Sequence, residues 1–428
     1  MKKTALLLLV LLVTSSISIV AQNKITIEDL WRNYKFFPES VRGVSSMNDG
    51  EHYTTMENRN SLIVRYAYET GEVVDTIFNA ANYEETPYIN GYYFSSDEKK
   101  LLVYNKQKSI YRHSFTAAWY IIDLESNVIT AVPGGAKNQL ATLSPAADKV
   151  AYVRENNLYY YDFASAEEIA VTSDGEFNKI INGAPDWVYE EEFGFSKAFT
   201  WSKDGSFLAW IRFDETAVKQ FEMTMFQGQA PSMDENALYP QPYEFKYPKA
   251  GEDNSIVTVH IYNINNKAVA DVDLGSETDQ YIPRIKWSDD NNHLAVYRVN
   301  RLQNKWEILF ADANTGQTEV KYTEENKYYI EESNYDNVKF LDENSHMILS
   351  SEADGWMHLY DVNLESGFKQ QITKGEYDIT DFLGYDEDKK TLYYMSAENS
   401  PLRRDLYSVR IDGKKRKRIT QQDGTNRA

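Results

Sequence analysis

Trp201-Ser202-Lys203-Asp204-Gly205 is the stretch that decides the fold. It reads as an apolar residue, then Ser or Asp, then a turn built on Asp, Asn or Gly that leads into an alternating strand. The same pattern returns at Val44-Ser45 to Gly50, Phe94-Ser95-Ser96-Asp97, Leu143-Ser144-Pro145, Trp287-Ser288-Asp289-Asp290, Leu341-Asp342-Glu343-Asn344 and Tyr385-Asp386-Glu387-Asp388. Seven copies lie roughly 45 to 60 residues apart with one wider gap, near the period of propeller blades.

A second element follows the first: a strand, a tight turn and another strand. Arg65-Tyr66-Ala67-Tyr68 turns at Thr70-Gly71, Tyr120 to Leu124 at Ser126-Asn127, and Ile308-Leu309-Phe310 at Thr315-Gly316. Leu359 to Val362 turns at Ser366-Gly367, and Tyr407 to Arg410 at Asp412-Gly413. Gly or Asn supplies the positive φ that such hairpins demand. Each unit is therefore predicted to be a four-stranded antiparallel meander that cannot bury both faces alone. Stacking the units radially makes an all-β propeller.

Composition agrees. The chain has 428 residues, 14% of them aromatic, with 32 Tyr and 8 Trp, types that suit pleated surfaces. A formal charge of −20 argues against nucleic acid and anionic membrane surfaces as partners and favours a basic ligand. Lys2 and Lys3, the apolar run Ala5 to Val13 and the exit Ile19-Val20-Ala21 read as a signal peptide over 1–21, cleaved near Ala21. Export to the periplasm or the exterior follows, without a stable membrane anchor, since the apolar run is well short of the ~20 residues a spanning helix needs. Residues 22–43 read as an N-terminal arm with a short helix capped by Thr26, and 44–428 as the propeller. With no cysteine there is neither a disulfide nor a thiol nucleophile.

Asp186-Trp187-Val188-Tyr189-Glu190-Glu191-Glu192 carries the chemistry. Three carboxylates directly follow residues that favour burial, so their backbone is expected to be held still. Carboxylates held side by side repel and are best satisfied by a shared cation, for which a peptide amino terminus is the obvious candidate. Glu190 is expected to face away or to form a structural ion pair. His113 is expected to be structural. The acidic turns lack calcium-loop spacing and no H-E-x-x-H occurs, so no metal or other cofactor is expected. The basic run Lys414 to Arg418 is expected to be a solvated strand edge.

The heptapeptide resembles the glutamate motif of the dipeptidyl peptidase IV family of serine peptidases. Tyr111-Arg112-His113-Ser114-Phe115-Thr116-Ala117 resembles that family's R-H-S-Y-T-A stretch, with Phe115 in place of the tyrosine, and Lys246 to Gly251 resembles its Y-P-K-A-G segment. The resemblance covers the propeller region, from about residue 25 onward. It implies that Glu191 and Glu192 bind the substrate's amino terminus, that Arg112 contacts the peptide near its first carbonyl, and that the propeller has eight blades, of which seven and the threshold of an eighth are visible. The propeller is accordingly expected to be incomplete at its C-terminal end. It also implies an α/β-hydrolase domain as partner and homodimerisation through a hairpin near Phe221 to Gly251. The nucleophile elbow G-x-S-x-G of such hydrolases does not occur in these 428 residues, so no catalytic residue is assigned and the chain alone is expected to be inactive. The resemblance implies removal of N-terminal Xaa-Pro or Xaa-Ala dipeptides by the whole enzyme. The alternatives are the propeller of a prolyl tripeptidyl peptidase and a non-catalytic peptide- or protein-binding propeller. Tyr328 to Tyr335 departs from the family's pattern and leaves the preference for the first side chain open.

Overall fold

The computed structural model describes residues 24–37, 43–226, 239–422 and 424–428. The signal peptide expected over 1–21 lies outside them. Seven sheets follow one another in chain order: Ser45–Ser46 to Val73–Asn79, Gly91–Phe94 to Ile129–Ala131, Gln139–Leu143 to Glu167–Ala170, Ile180–Asn182 to Val269–Asp271, Gln280–Trp287 to Thr318–Glu325, Val338–Leu341 to Lys369–Gln371, and Ile379–Asp386 to Lys417–Arg418. Six have four strands in sequential order, the pattern of propeller blades. The seven repeats fall on the turns between first and second strands, as predicted.

The serine of the repeat has a double task. Ser202 Oγ donates to Asp204 at 2.6 Å and accepts from the Phe207 N–H at 3.0 Å. Ser95 does the same with Asp97 and Lys100 at 2.6 and 2.9 Å, and Ser144 with Asp148 and Lys149 at 2.7 and 3.0 Å. A buried hydroxyl is thus satisfied in both directions while it fixes the turn. The tryptophans join neighbouring blades: Trp201 Nε1 donates to Thr142 O of the third sheet and Trp287 Nε1 to Thr200 O of the fourth, each at 3.2 Å. Apolar clusters lie between successive sheets, the largest running through the fourth, fifth and sixth.

Two compact units divide the chain, Met1–Thr55 with Val64–Asp75 and Met56–Ile63 with Thr76–Ala428. In the first, the helical turn Glu28–Arg32 has Ile27 at its N-cap, one residue after the expected Thr26, whose Oγ1 nonetheless accepts from Asp29 N at 3.1 Å. Tyr53 packs on Tyr66 and Tyr68 at 5.3 and 4.8 Å between ring centroids.

In the second unit, the fourth sheet departs from the pattern because its first strand is broken. Ile180–Asn182 and Phe199–Trp201 both pair with Phe207–Asp214, and residues 183–198 leave the sheet between them. Gly183 starts this excursion at φ +76°, where an added Cβ would meet Val153 and Leu158 at 3.1 and 3.3 Å. The expected loop insertion in the wide gap is a two-stranded ribbon, Gln220–Met225 against Gln241–Lys246. The basic run is only partly a solvated edge: Arg416 pairs with Glu398 at 2.7 Å and Arg418 with Asp405 at 2.8 Å.

Candidate functional site

The excursion from the fourth sheet presents the acidic heptapeptide as a helix, Trp187–Glu191, where the sequence reading assigned no element. Asp186 caps it, its Oδ1 accepting from Tyr189 N at 3.0 Å and its Oδ2 from the Ser255 hydroxyl at 2.6 Å. Tyr189 roots it: the side chain is 1% exposed, its ring lies 4.8 Å from Phe213, and its oxygen accepts from Ile282 N at 3.0 Å. The carboxylates are therefore carried on backbone fixed from below.

Glu190 corrects the expectation. It neither faces away nor pairs with a cation, but is buried, with Oε1 accepting from His113 N at 2.7 Å and Ser114 N at 2.8 Å. It is the clamp on the loop that carries Arg112. The next residue completes the link, Arg112 Nε lying 2.9 Å from Glu191 Oε2. His113 enters this arrangement through its backbone, in keeping with the structural role expected. Arg112 is 71% exposed, so the pair itself contributes on the order of 0–1 kcal/mol, and the clamp beneath it does more to fix the geometry.

Glu192 takes a third position. It is exposed and makes no ion pair with another described residue. It faces a cleft of about 900 Å³ whose walls include Trp187, Val188, Phe193, Tyr247, Tyr281 and Glu332. Trp187 lies against Tyr247 at 4.2 Å, and Tyr247, Pro248, Lys249 and Ala250 of the third sequence motif line the same cleft. Three motifs distant in sequence thus meet around one helix. Among the predicted site residues the structure pairs Arg112 with Glu191 directly, while Glu192 turns into the cleft.

Sequence reasoning missed Glu332, whose carboxyl is held above its ordinary range by burial first and then by Glu331 and Glu192. Its signal was the acidic pair Glu331-Glu332 inside the segment that departs from the family pattern. It also missed a buried acid beneath the site. Burial pushes Glu215 up to about 7, Asp186 adds to the shift, and Lys246 opposes it. Burial raises Asp186 too. Among the described residues no group of His, Asp or Glu is arranged to hold a metal ion.

The comparisons with known proteins concern the fold and the family. A probable dipeptidyl-aminopeptidase B of Chaetomium globosum is 32% identical over 341 residues, covering 74% of this chain and 36% of that protein. A probable dipeptidyl peptidase 4 of Aspergillus flavus is 29% identical over 386 residues, covering 86% and 48%. The chain thus spans half or less of the length of these curated relatives. The crystal structure of Porphyromonas gingivalis dipeptidyl peptidase 4 superposes with a TM-score of 0.85 at 37% identity, over 94% of this chain and 56% of that one. A putative dipeptidyl aminopeptidase IV from Bacteroides ovatus shares the fold at a TM-score of 0.66 and 23% identity, over 86% of this chain and 51% of that one. The family described as the dipeptidyl peptidase IV N-terminal region matches residues 95–428, and this chain belongs to it.

Proposed function

We propose that this chain is the substrate-recognition propeller of an exported dipeptidyl peptidase IV-like serine exopeptidase, which removes N-terminal Xaa-Pro or Xaa-Ala dipeptides when joined to a hydrolase domain. The carrying observation is the unequal treatment of two adjacent carboxylates. Glu191 is offset by Arg112 at 2.9 Å, while Glu192 has no ion-pair partner among the described residues and lines an aromatic cleft. Two carboxylates and one guanidinium leave a net charge that a single ammonium cancels. An ammonium fixed there sets how far into a peptide a neighbouring catalytic group reaches, so position alone determines product length. The ribbon residues Met223 and Phe226, 47% and 69% exposed, are our candidates for a self-association surface.

The test is calorimetric binding of a free-N-terminus Ala-Pro peptide and of its N-acetylated form. Acetylation is expected to weaken binding roughly 30-fold to a few thousand-fold, the range of ~2–5 kcal/mol for a desolvated charge left unpaired. Glu192→Gln should lose a similar factor for the free peptide and little for the acetylated one. Equal affinity of the two peptides for the unmodified chain would remove the ammonium site from consideration. The chain by itself is expected to hydrolyse no Gly-Pro reporter.

A further inference from the structure

A second cavity, sharing no wall residue with the cleft at Glu192, opens among the second, third and fourth sheets. Its volume is about 310 Å³, and its walls include Tyr93, Phe115, Trp119, Leu140, Thr142 and Lys197. One side is a rank of rings. Trp119 stacks with Tyr93 at 6.5 Å and Phe115 at 6.2 Å, and Tyr104 backs them at 4.6 Å from Trp119 and 5.1 Å from Phe115. Tyr93 is nevertheless 54% exposed, so a large flat aromatic face is left open at this wall.

The polar groups around the cavity are mostly satisfied within the protein. The Trp119 indole donates to Asn138 O at 3.2 Å, the Ser95 hydroxyl to Asp97 at 2.6 Å and the Ser144 hydroxyl to Asp148 at 2.7 Å. Lys197 is different. Its ammonium carries three donors and its one hydrogen bond among the described residues is to Thr142 Oγ1 at 3.4 Å, with no carboxylate in ion-pair range. The side chain is exposed, and its ammonium also lies 5.7 Å over the Phe199 ring. In a chain of formal charge −20, an exposed ammonium with no carboxylate in ion-pair range is open to an anion that enters the cavity.

Charge and shape together define what fits. A cation is repelled by Lys197, and a neutral apolar molecule leaves the ammonium as it was. A small inorganic anion satisfies the ammonium but leaves the aromatic wall wet. We propose that this cavity binds a small aromatic carboxylate, its carboxylate on the Lys197 ammonium and its ring against Tyr93 and Phe115. A volume near 300 Å³ is at the small end of ligand pockets, and apolar walls with a few placed polar groups are their usual make-up. Nothing in this inference depends on the amino-terminus reading of the other cleft.

Indole-3-propionate and tryptamine share a ring and oppose each other in charge, which makes them the probes. Calorimetry on the chain is expected to show saturable one-to-one binding of indole-3-propionate and none of tryptamine at the same concentrations. Lys197→Met should weaken indole-3-propionate about tenfold or more, the scale of one charge-assisted hydrogen bond, whereas Lys197→Arg keeps most of the affinity. Tyr93→Ala should cost a comparable factor, and Glu192→Gln none. Equal binding of the two indoles, undiminished affinity in Lys197→Met, or no saturable binding of indole-3-propionate each overturns the proposal. Should Lys197→Met fail to fold, the comparison of the two indoles on the unmodified chain still decides it.

Discussion

Glu190, Glu191 and Glu192 are chemically identical and adjacent, yet one is a buried acceptor of two backbone N–H groups, one an ion-pair partner and one part of the wall of a cleft. The helical turn separates them: successive residues step about 100° around a helix, so three neighbours face three directions. That an acidic site exists here was legible from carboxylates set against Trp187 and Tyr189. Which carboxylate points inward was not, because it depends on where the Arg112 loop lies, 77 residues away in sequence. Glu215 was silent for the same reason, since nothing local distinguishes it from an exposed acid. Its prediction is one of pH. The folded chain keeps the Glu215 proton up to about 7, whereas the unfolded chain releases it near the ordinary glutamate value of 4.5. The folded state therefore binds more protons between these limits, and stability falls as pH rises through them. By pH 8 the loss amounts to about 3 kcal/mol for this group, which is 6% exposed. Urea unfolding of Glu215→Gln against the parent should show the variant gaining relative stability from pH 4.5 to 8. Parallel curves would mean that Glu215 is not held protonated.

At the scale of elements, the outer hairpins of the second to sixth sheets use one device, while that of the first opens at Ala67 and closes at Gly71. An Asp or Asn opens the turn by accepting backbone N–H bonds, as Asp312 does from Asn314 and Thr315 at 3.1 and 2.8 Å and Asn263 from Asn265 and Asn266 at 2.9 and 3.2 Å. A residue with positive φ then closes it: Gly71, Asn127, Gly316 and Gly367, but also Ala166 at +55° and Lys267 at +60°. The turns closed by Gly or Asn are those the sequence announced, and the other two escaped notice because Ala and Lys carry no such signal. The helix Trp187–Glu191 escaped for a related reason. Trp, Val and Tyr favour strands, and the helix rests on the Asp186 cap and the burial of Tyr189. The strained closures give a prediction. A left-handed L-residue costs about 1–2 kcal/mol, and glycine returns roughly 0.5–1 of that as backbone entropy. Ala166→Gly and Lys267→Gly should therefore each stabilise the chain by about 0.5–1 kcal/mol, and jointly by the sum, since distant sites add. The urea midpoint measures it. A lowered midpoint in both variants would show that these turns are not strained in solution.

On the scale of the whole molecule, the blade count followed from seven repeats because every repeat occupies the same turn, and Ser202 and Trp201 have local tasks that recur. The two cavities did not follow, because each is assembled from segments of several sheets whose residues say nothing singly. Glu192 and Glu332 share one cleft with Lys249 and Arg301, and Lys197 lines the other cavity, all within a chain of 45 basic and 65 acidic residues. Net charge acts at long range where the pairwise contacts do not. Its field should draw a cationic peptide toward the protein before any contact forms, and salt should remove that part selectively. The Debye length shrinks from ~30 Å at 0.01 M to ~8 Å at 0.15 M ionic strength. The association rate of a free-N-terminus Lys-Pro peptide, followed by stopped-flow fluorescence, should accordingly fall several-fold over that range. Its dissociation rate, which the proposed contacts at Glu191 and Glu192 would govern, should change much less. A net-neutral N-acetylated peptide should associate at a rate nearly independent of salt. An association rate for the cationic peptide that is flat in salt would mean that the acidic excess lies away from the cleft, and that recognition rests on contact geometry alone.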